Sequence, residues 1–497
     1  MDQRLRILFV TAEVTPFART GGLGDVAGTL PRELAALGHD VRVVMPLYQT
    51  VREQGFPLTP LLSELPVPLA FGNRTARVWQ GQLDEPGSAT PSRPSVPVYF
   101  IEHDPYFQRP ALYGDDNGDY PDNAFRFLFF CRAALALPTG LQWFPQVFHC
   151  HDWHTGFVPA YLRFLPALDP RLTSAATLFT IHNLAYQGVF PAWVFGLTGL
   201  PLSLFQPAEL EFFGGVNFMK AGLRYADRIT TVSPTYAEEI CTPEGGFGLD
   251  GVLRERREAL IGILNGADYH AWNPATDSHT AVRYDAADTS GKAACKTALL
   301  HAYDLPADPE TLLISSITRL VDQKGMDVLA AAIDRLLTLD CSFVLLGSGD
   351  ARYERFFTDL AHTHPQRVGV QLGFDDVLAH QIQAGSDCLL VPSRFEPCGL
   401  TQMYAMRYGT LPIVRSTGGL RDTVVPHDAI DGLGTGFVFT EATTDALVAA
   451  IREAASIFAD KSRWRQLQDN AMTRDFSWGQ SAAHYVELYQ QAIAAKP

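Results

Sequence analysis

At 497 residues the chain has room for two or three domains, each with its own core. Its 47% hydrophobic and 19% charged residues exclude long disorder. A formal net charge of −15 argues against broad contact with nucleic acid or an anionic membrane, so any bound phosphate must meet a local cluster of arginine, lysine and main-chain amides.

The start, "MDQRLRILFVTAE", carries two arginines but an apolar run too short for a signal peptide, and no stretch of transmembrane length is expected after it. "LRILFVTAE" reads as a buried strand, "GDVAGTLPRELAALGHD" as a helix and "VRVVMPLY" as a second strand, which together make a β-α-β unit. "LDEPGSATPSRPSVP" (83–97), rich in Pro and Ser, is expected to be a surface loop. Alternation continues through "VPVYFIEH", the helix "NAFRFLFFCRAALALP", "QVFHCHDW", "AATLFTIHN", "ADRITTVSP" and "REALIGILNGAD". After "HAWNPATDSHT" it restarts with "TLLISSITRL", the helix "MDVLAAAIDRLL", "CSFVLLGSGD", "VGVQLGF", "CLLVPSRFE" and "LPIVRSTGG". Strands alternating with helices predict parallel sheets covered on both faces. One sheet holding every strand would be unusually wide, so two doubly wound α/β domains are expected, joined near residues 268–290. The seven cysteines are odd in number, scattered and without metal spacing, which fits a reduced, cytoplasmic setting.

The tetrapeptide TGGL occurs twice, at Thr20 to Leu23 and at Thr417 to Leu420, each with an aspartate two residues on, Asp25 and Asp422. Open α/β sheets bind ligands beyond the carboxyl ends of their strands, and glycines there let backbone approach a ligand closely. Two facing domains would each offer a glycine turn, through Gly21 and Gly22 in the first, to a shared cleft. A dinucleotide fingerprint is the rival reading of "GGLGDVAG". It fails because about ten residues separate strand from glycines, and because "VVMPLY" supplies no acid for an adenosine ribose.

In "SITRLVDQKGMD", Arg319 and Lys324 lie between a strand end and a helix beginning near Gly325. Two cations beside a helix N-terminus suit a diphosphate without a metal, although taken alone they could equally be solvated charges. In "VPSRFEPCGLTQMYAMRYGT", Glu396 follows a buried strand and the amides of Cys398 to Thr401 open a helix. A carboxylate beside an anion nest suits a ligand with hydroxyls and phosphate, such as a nucleotide sugar; a helix-capping acid is the plainer alternative. "HCHDWHTG" puts His149 and His151 on one strand face with His154 beyond, yet no cysteine or further acid completes a zinc set. "GDDNGDYPDN" (114–123) has calcium-like acids but lacks the glycine and distal glutamate of an EF-hand loop, so a solvated acidic loop is expected.

From about Arg6 to Trp478 the chain resembles glycosyltransferase family 5, the bacterial glycogen synthases and starch synthases. The resemblance rests on "TGGLGDVAGTLP", "HDWHTG", "TIHNLAYQG", "NFMKAGLRYADRITTVSPTYAEEI", "ILNGADYHAWNP", "TRLVDQKGMD" and "RFEPCGLTQMYAMRYGT" in that order. It implies a GT-B fold of two Rossmann-like domains: residues 1–267 on the acceptor side, 268–478 binding the donor, and a last helix in 479–497 crossing back to the first domain. The implied reaction moves glucose from ADP-glucose to the non-reducing end of an α-1,4-glucan with retention. No metal or other cofactor, nucleic-acid partner or membrane is implied.

Carried over by position, Arg319 and Lys324 neutralise the ADP phosphates, and Glu396 holds sugar hydroxyls. Cys398, Gly399, Leu400 and Thr401 surround sugar and phosphate, and Phe374 stacks on the base. Asp152 and His182 contact the transferred glucose, with Asn265 also lining the cleft. Arg19, Gly21, Gly22 and Asp25 belong to the donor side, and Asn123 and His151 are placed near the acceptor. Arg19 stands where the family has lysine. With only six lysines in the chain (220, 292, 296, 324, 461, 496), a general drift to arginine is the plain explanation. A guanidinium keeps the charge but is planar and forked. Two other classes remain open on sequence: a non-catalytic glucan-binding scaffold, and a transferase using UDP-glucose, since Phe374 can stack on either base.

Overall fold

The computed structural model describes residues 4–84, 93–115, 118–165, 168–430 and 432–496. Most of the Pro/Ser-rich segment expected as a loop, and the middle of the acidic 114–123 segment, lie outside the described residues. Contacts divide the chain into one unit of Met1–Val232, Ala237–Ile263 and Trp478–Pro497, and a second of Ser233–Tyr236 and Leu264–Ser477.

The first unit is built on a nine-stranded sheet. Its spatial order is Leu260–Gly262, Arg228–Thr231, Ala176–Ile181, Val147–His151, Arg6–Val10, Asp40–Pro46, Val96–Glu102, Arg74–Leu83 and Thr59–Val67. The first seven run parallel, and central strands such as VFHCH and ATLFTI are buried at every residue because helices cover both faces. The last two pair antiparallel, a departure from the all-parallel expectation. Thr59–Val67 alternates mostly exposed residues with buried Leu65 and Val67. That suits an edge with one wet face, where helix-strand alternation is not required.

The helix Asn123–Leu141 is long and apolar enough to cross a membrane, contrary to the sequence expectation, but most of it is buried within this unit. It is the core helix of the domain, and its apolarity follows from packing on several sides at once. The last helix, Trp478–Ala494, also packs here. Its buried Tyr489 gives a hydroxyl within 2.8 Å of His149 Nδ1, on the central strand Val147–His151.

The second unit holds six parallel strands in the order Val368–Leu372, Cys341–Gly347, Leu312–Ile317, Cys388–Val391, Leu411–Arg415 and Phe437–Phe439. In each sheet the chain order reverses beside the first strand. In the first unit this switch lies between Arg6–Val10 and Val147–His151, in the second between Leu312–Ile317 and Cys388–Val391. Loops leaving the carboxyl ends at such a point diverge to opposite faces and leave a crevice. Of the residues singled out by sequence, Arg19 and Asp152 lie on the loops of the first switch, and Arg319, Lys324 and Glu396 on those of the second. His182 and Phe374 follow other strands of the same sheets.

Asn265, expected in the first domain, belongs by its contacts to the second unit. After Ile263 the chain leaves the sheet, and Ala267 pairs with Ser477 beside it.

Candidate active site

In the second unit, Leu312–Ile317 ends just before Arg319, and Cys388–Val391 ends just before Ser393 and Glu396. Lys324 Nζ lies 2.6 Å from Glu396 Oε2, and the Ser393 hydroxyl donates to the same oxygen at 2.8 Å. The ammonium side chain is 19% exposed and the carboxylate 8%, so the pair is screened less than a surface ion pair. Arg319, exposed at the strand end, reaches Gln323 Oε1 at 3.5 Å. Gly325 turns the chain into the helix Met326–Leu336 with φ +71°, and a Cβ there would collide with the Pro392 carbonyl. The glycine therefore lets the lysine loop lie against the Glu396 loop.

The loop Cys398 to Leu400 precedes the short helix Thr401–Arg407. Gln402 Nε2 donates to the carbonyls of Cys398 and Gly399 and to the Thr423 hydroxyl, and Asn265 hydrogen-bonds Cys398. Phe374, 74% exposed, stands on the loop after Val368–Leu372. Asp375 caps the next helix by accepting from Leu378 N–H at 2.9 Å.

The two TGGL turns do different work. At the second, a Cβ on Gly418 (φ +44°) would fall on the Glu396 carbonyl oxygen and one on Gly419 on that of Cys398. Gly419 N–H donates to the Glu396 carbonyl at 3.1 Å, and Asp422 accepts from the Thr235 amide and hydroxyl. These glycines seat one loop of their own unit against another. At the first turn, a Cβ on Gly21 or Gly22 would meet nothing within 4 Å. Of the two turns offered to a ligand by the sequence reading, only the first has open space beside both glycines among the described residues.

Glu13, which sequence reading passed over, builds that first turn. Its buried carboxylate accepts from the Thr20 amide (2.5 Å), the Thr20 hydroxyl (2.7 Å) and the Tyr113 phenol (2.7 Å). Burial raises its pKa, against the lowering effect of these donors. The available signal was an acid three residues beyond a strand at a switch point. Arg19 Nη1 pairs with Asp25 Oδ1 at 3.1 Å, with both side chains about one-third exposed (35% and 31%), and Asp25 also accepts from the Thr15 hydroxyl. Arg19→Lys should stay within about twofold of the parent in kcat/KM for the sugar donor, because the charge survives. Arg19→Ala should lose about tenfold, near 1.4 kcal/mol. Steady-state kinetics of the two variants checks this, and an alanine variant matching the parent would reduce Arg19 to a loop charge held by Asp25.

Asp152 follows Val147–His151 with φ +54°, a left-handed conformation that a non-glycine residue adopts at a cost. It turns the carboxylate back to accept from the His182 amide at 2.8 Å, with the Asn183 amide also donating. Burial pushes its pKa up to about 8, the main-chain donors opposing. An unfolded aspartate titrates near pH 4. The folded state therefore binds the extra proton between those values, and the stability that proton gives is lost as pH rises through the window. Asp152→Asn, which carries no charge and keeps an oxygen for the His182 amide, should gain on the parent by about 4 kcal/mol between pH 5 and pH 9. Urea unfolding at the two pH values tests this; an equal gap at both would refute the raised pKa.

His182 is also buried, its pKa lowered to about 3 by desolvation, and its Nε2 lies 3.0 Å from His151 Nδ1. His151 is wholly enclosed, with Phe9 stacked on its ring at 5.3 Å. Asn123, 2% exposed, donates to the Tyr113 carbonyl and accepts from Arg126 Nη1. Both were placed near an acceptor from sequence. The structure sets both inside the domain, where Asn123 and His151 Nδ1 serve neighbouring protein groups. His149 has both ring nitrogens against hydroxyls, those of Tyr489 and Thr180. Among the described residues no group of three or more His, Cys, Asp or Glu side chains could hold a metal ion.

The sequence matches two family models in succession, the starch synthase catalytic domain over residues 6–255 and the group 1 glycosyl transferases over 303–471. It is 50% identical to a glycogen synthase of Anaeromyxobacter dehalogenans (strain 2CP-1 / ATCC BAA-258), over 98% of this chain and 99% of that one. It is 47% identical to a glycogen synthase of Syntrophotalea carbinolica, over 98% and 99%. The fold superposes with TM-score 0.90 and 36% identity on the catalytic domain of starch synthase IV from Arabidopsis thaliana bound to ADP and acarbose, covering 99% of this chain and 100% of that one. With two doubly wound units and a lysine-glutamate pair at the switch point of the second, the chain belongs to the glycogen synthase family, glycosyltransferase family 5, and has its GT-B fold.

Proposed function

We propose that the chain transfers glucose from ADP-glucose to the non-reducing 4-hydroxyl of an α-1,4-glucan, with retention of configuration and release of ADP. The observation that carries this reading is the Lys324–Glu396 pair at the carboxyl ends of two neighbouring strands, with Arg319 on the same crevice. Lys324 and Arg319 stabilise charge on the departing diphosphate, and Glu396, held by Lys324 and Ser393 through one oxygen, offers its other oxygen to sugar hydroxyls. Phe374 stacks on the base, and the Cys398 to Thr401 loop supplies main-chain groups to sugar and phosphate. Asp152 and His182 contact the transferred glucose, and Arg19, Gly21, Gly22, Asp25 and Asn265 complete the donor side.

In this reading the C1–O bond to the diphosphate breaks as the acceptor O4 bonds to C1 on the same face. The acceptor proton passes to the leaving phosphate oxygen. The protein contributes positioning and charge stabilisation. A retaining double displacement would need a carboxylate nucleophile with a second carboxyl close by. Glu396, the carboxylate beside Lys324, is instead tied to that lysine and to Ser393, which favours the front-face route.

ADP in the starch synthase IV structure supports adenine as the base. All seven cysteines are free thiols, six of them buried, which supports a reducing, cytoplasmic setting. The test is incorporation of label from ADP-glucose and from UDP-glucose into glycogen, with and without EDTA. ADP-glucose should be the better donor and EDTA without effect. Preference for UDP-glucose would sink the donor assignment, and EDTA inhibition reversed by a divalent metal would sink the metal-free mechanism.

A further inference from the structure

His151 and His182 share one hydrogen bond, Nδ1 to Nε2 at 3.0 Å, between the ends of adjacent strands. Both rings are neutral near pH 7, since burial holds them well below the usual histidine range. A neutral imidazole has one N–H, so one of the two must donate and the other accept. The other nitrogen of His151, Nε2, is buried and has no hydrogen-bond partner among the described residues. An N–H enclosed without an acceptor costs more than an enclosed lone pair, and orphaned buried N–H groups are rare. The hydrogen of His151 therefore belongs on Nδ1. It donates to His182 Nε2, and that leaves the hydrogen of His182 on Nδ1.

The ring of His151 cannot easily turn to reverse this order. Phe9 stacks on it at 5.3 Å, and His149 packs on it with centroids 4.1 Å apart. His149 is itself fixed by the hydroxyls of Tyr489 and Thr180. His182 is fixed through its backbone, because its amide is held by Asp152.

We propose that His151 is a positioning residue that sets the tautomer of His182, so that His182 presents Nδ1–H as a hydrogen-bond donor to a hydroxyl oxygen of the transferred sugar. The sugar contact rests on the function proposed above; the tautomer does not. An acceptor nitrogen at the same place would have to take a hydrogen from the sugar instead, and sugar hydroxyls, able to do both, would be held in a different orientation.

The experiment uses the full chain with histidine labelled at its ring nitrogens, read by two-bond proton–nitrogen correlation, with His182 assigned by comparison with His182→Asn. In the parent, His182 should carry its hydrogen on Nδ1. His151→Asn keeps an amide donor where Nδ1 stands, so it should preserve that tautomer and hold kcat/KM for ADP-glucose within about threefold. His151→Phe keeps the aromatic packing against Phe9 but removes the donor. It should move His182 toward the Nε2–H form and lower kcat/KM about tenfold. A purely structural role would give the reverse order, since phenylalanine fills the ring site and asparagine does not. An Nε2–H His182 in the parent, or no tautomer change in His151→Phe, would overturn the proposal. Because the parent spectrum alone decides the tautomer, a poorly folding variant does not shield it. If the tautomers behave as stated while kcat/KM for ADP-glucose stays level in all three variants, the sugar contact is overturned and the assignment of hydrogens stands.

Discussion

Lys324→Ala should lower kcat about 100- to 1,000-fold with the fold retained, and Arg319→Ala should follow it. On the proposed function each removes a cation from charge that grows on the diphosphate as it departs, and a fixed donor in that position is worth about 3–4 kcal/mol of barrier. The two should differ in one respect. Lys324 also neutralises Glu396, whose side chain is 8% exposed, so its loss leaves a nearly buried carboxylate with only Ser393 on that oxygen. Lys324→Ala should therefore show a stability loss of about 1–2 kcal/mol that Arg319→Ala does not. A Lys324→Ala/Glu396→Gln double variant should recover part of that stability and none of the rate. Because lysine and glutamate act as a unit, their effects on kcat should be strongly non-additive. Rapid-quench kinetics and urea unfolding of the parent, the two alanine variants, Glu396→Gln and the double variant read both quantities. A Lys324→Ala enzyme with kcat near that of the parent would remove the lysine from the reaction.

The second large effect separates the two glycine turns. Gly418→Ala should destabilise the protein by about 3 kcal/mol or more, because the new Cβ lands on the Glu396 carbonyl and the backbone sits at φ +44°. Neither the helix Gly418–Thr423 nor the Glu396 loop can retreat, being tied by Gly419 N–H and by Gln402 Nε2 to Thr423. Gly21→Ala meets no atom within 4 Å and has an extended backbone, so its stability should change by less than about 0.5 kcal/mol. Any loss should appear in kcat/KM for the donor. Denaturant unfolding of both variants checks the contrast. Equal stabilities would mean that the second turn yields freely and that Glu396 is not held by it.

The sequence alone was enough to determine the class of fold, because short continuous apolar runs alternating with helical stretches leave few solutions other than parallel sheets with covered faces. It also determined the family, through long motifs at Thr20, Asp152, Arg319 and Glu396, and it placed the last three just beyond strand ends, where ligands bind in such sheets. What the tertiary structure decided is which of these residues touch. The lysine and the glutamate lie 72 positions apart in the chain, and only the adjacency of Leu312–Ile317 and Cys388–Val391 brings them to 2.6 Å. Identical tetrapeptides gave no hint that one turn is open and the other packed, because a glycine records that space or a positive φ is needed but not what fills it. Glu13 passed as an ordinary polar residue, and His151 read as a metal candidate or an acceptor contact, near strand ends. Their partners Tyr113 and His182 come from other segments, and burial, which makes a carboxylate an anchor and an imidazole a fixed donor, is a property of the packed domain.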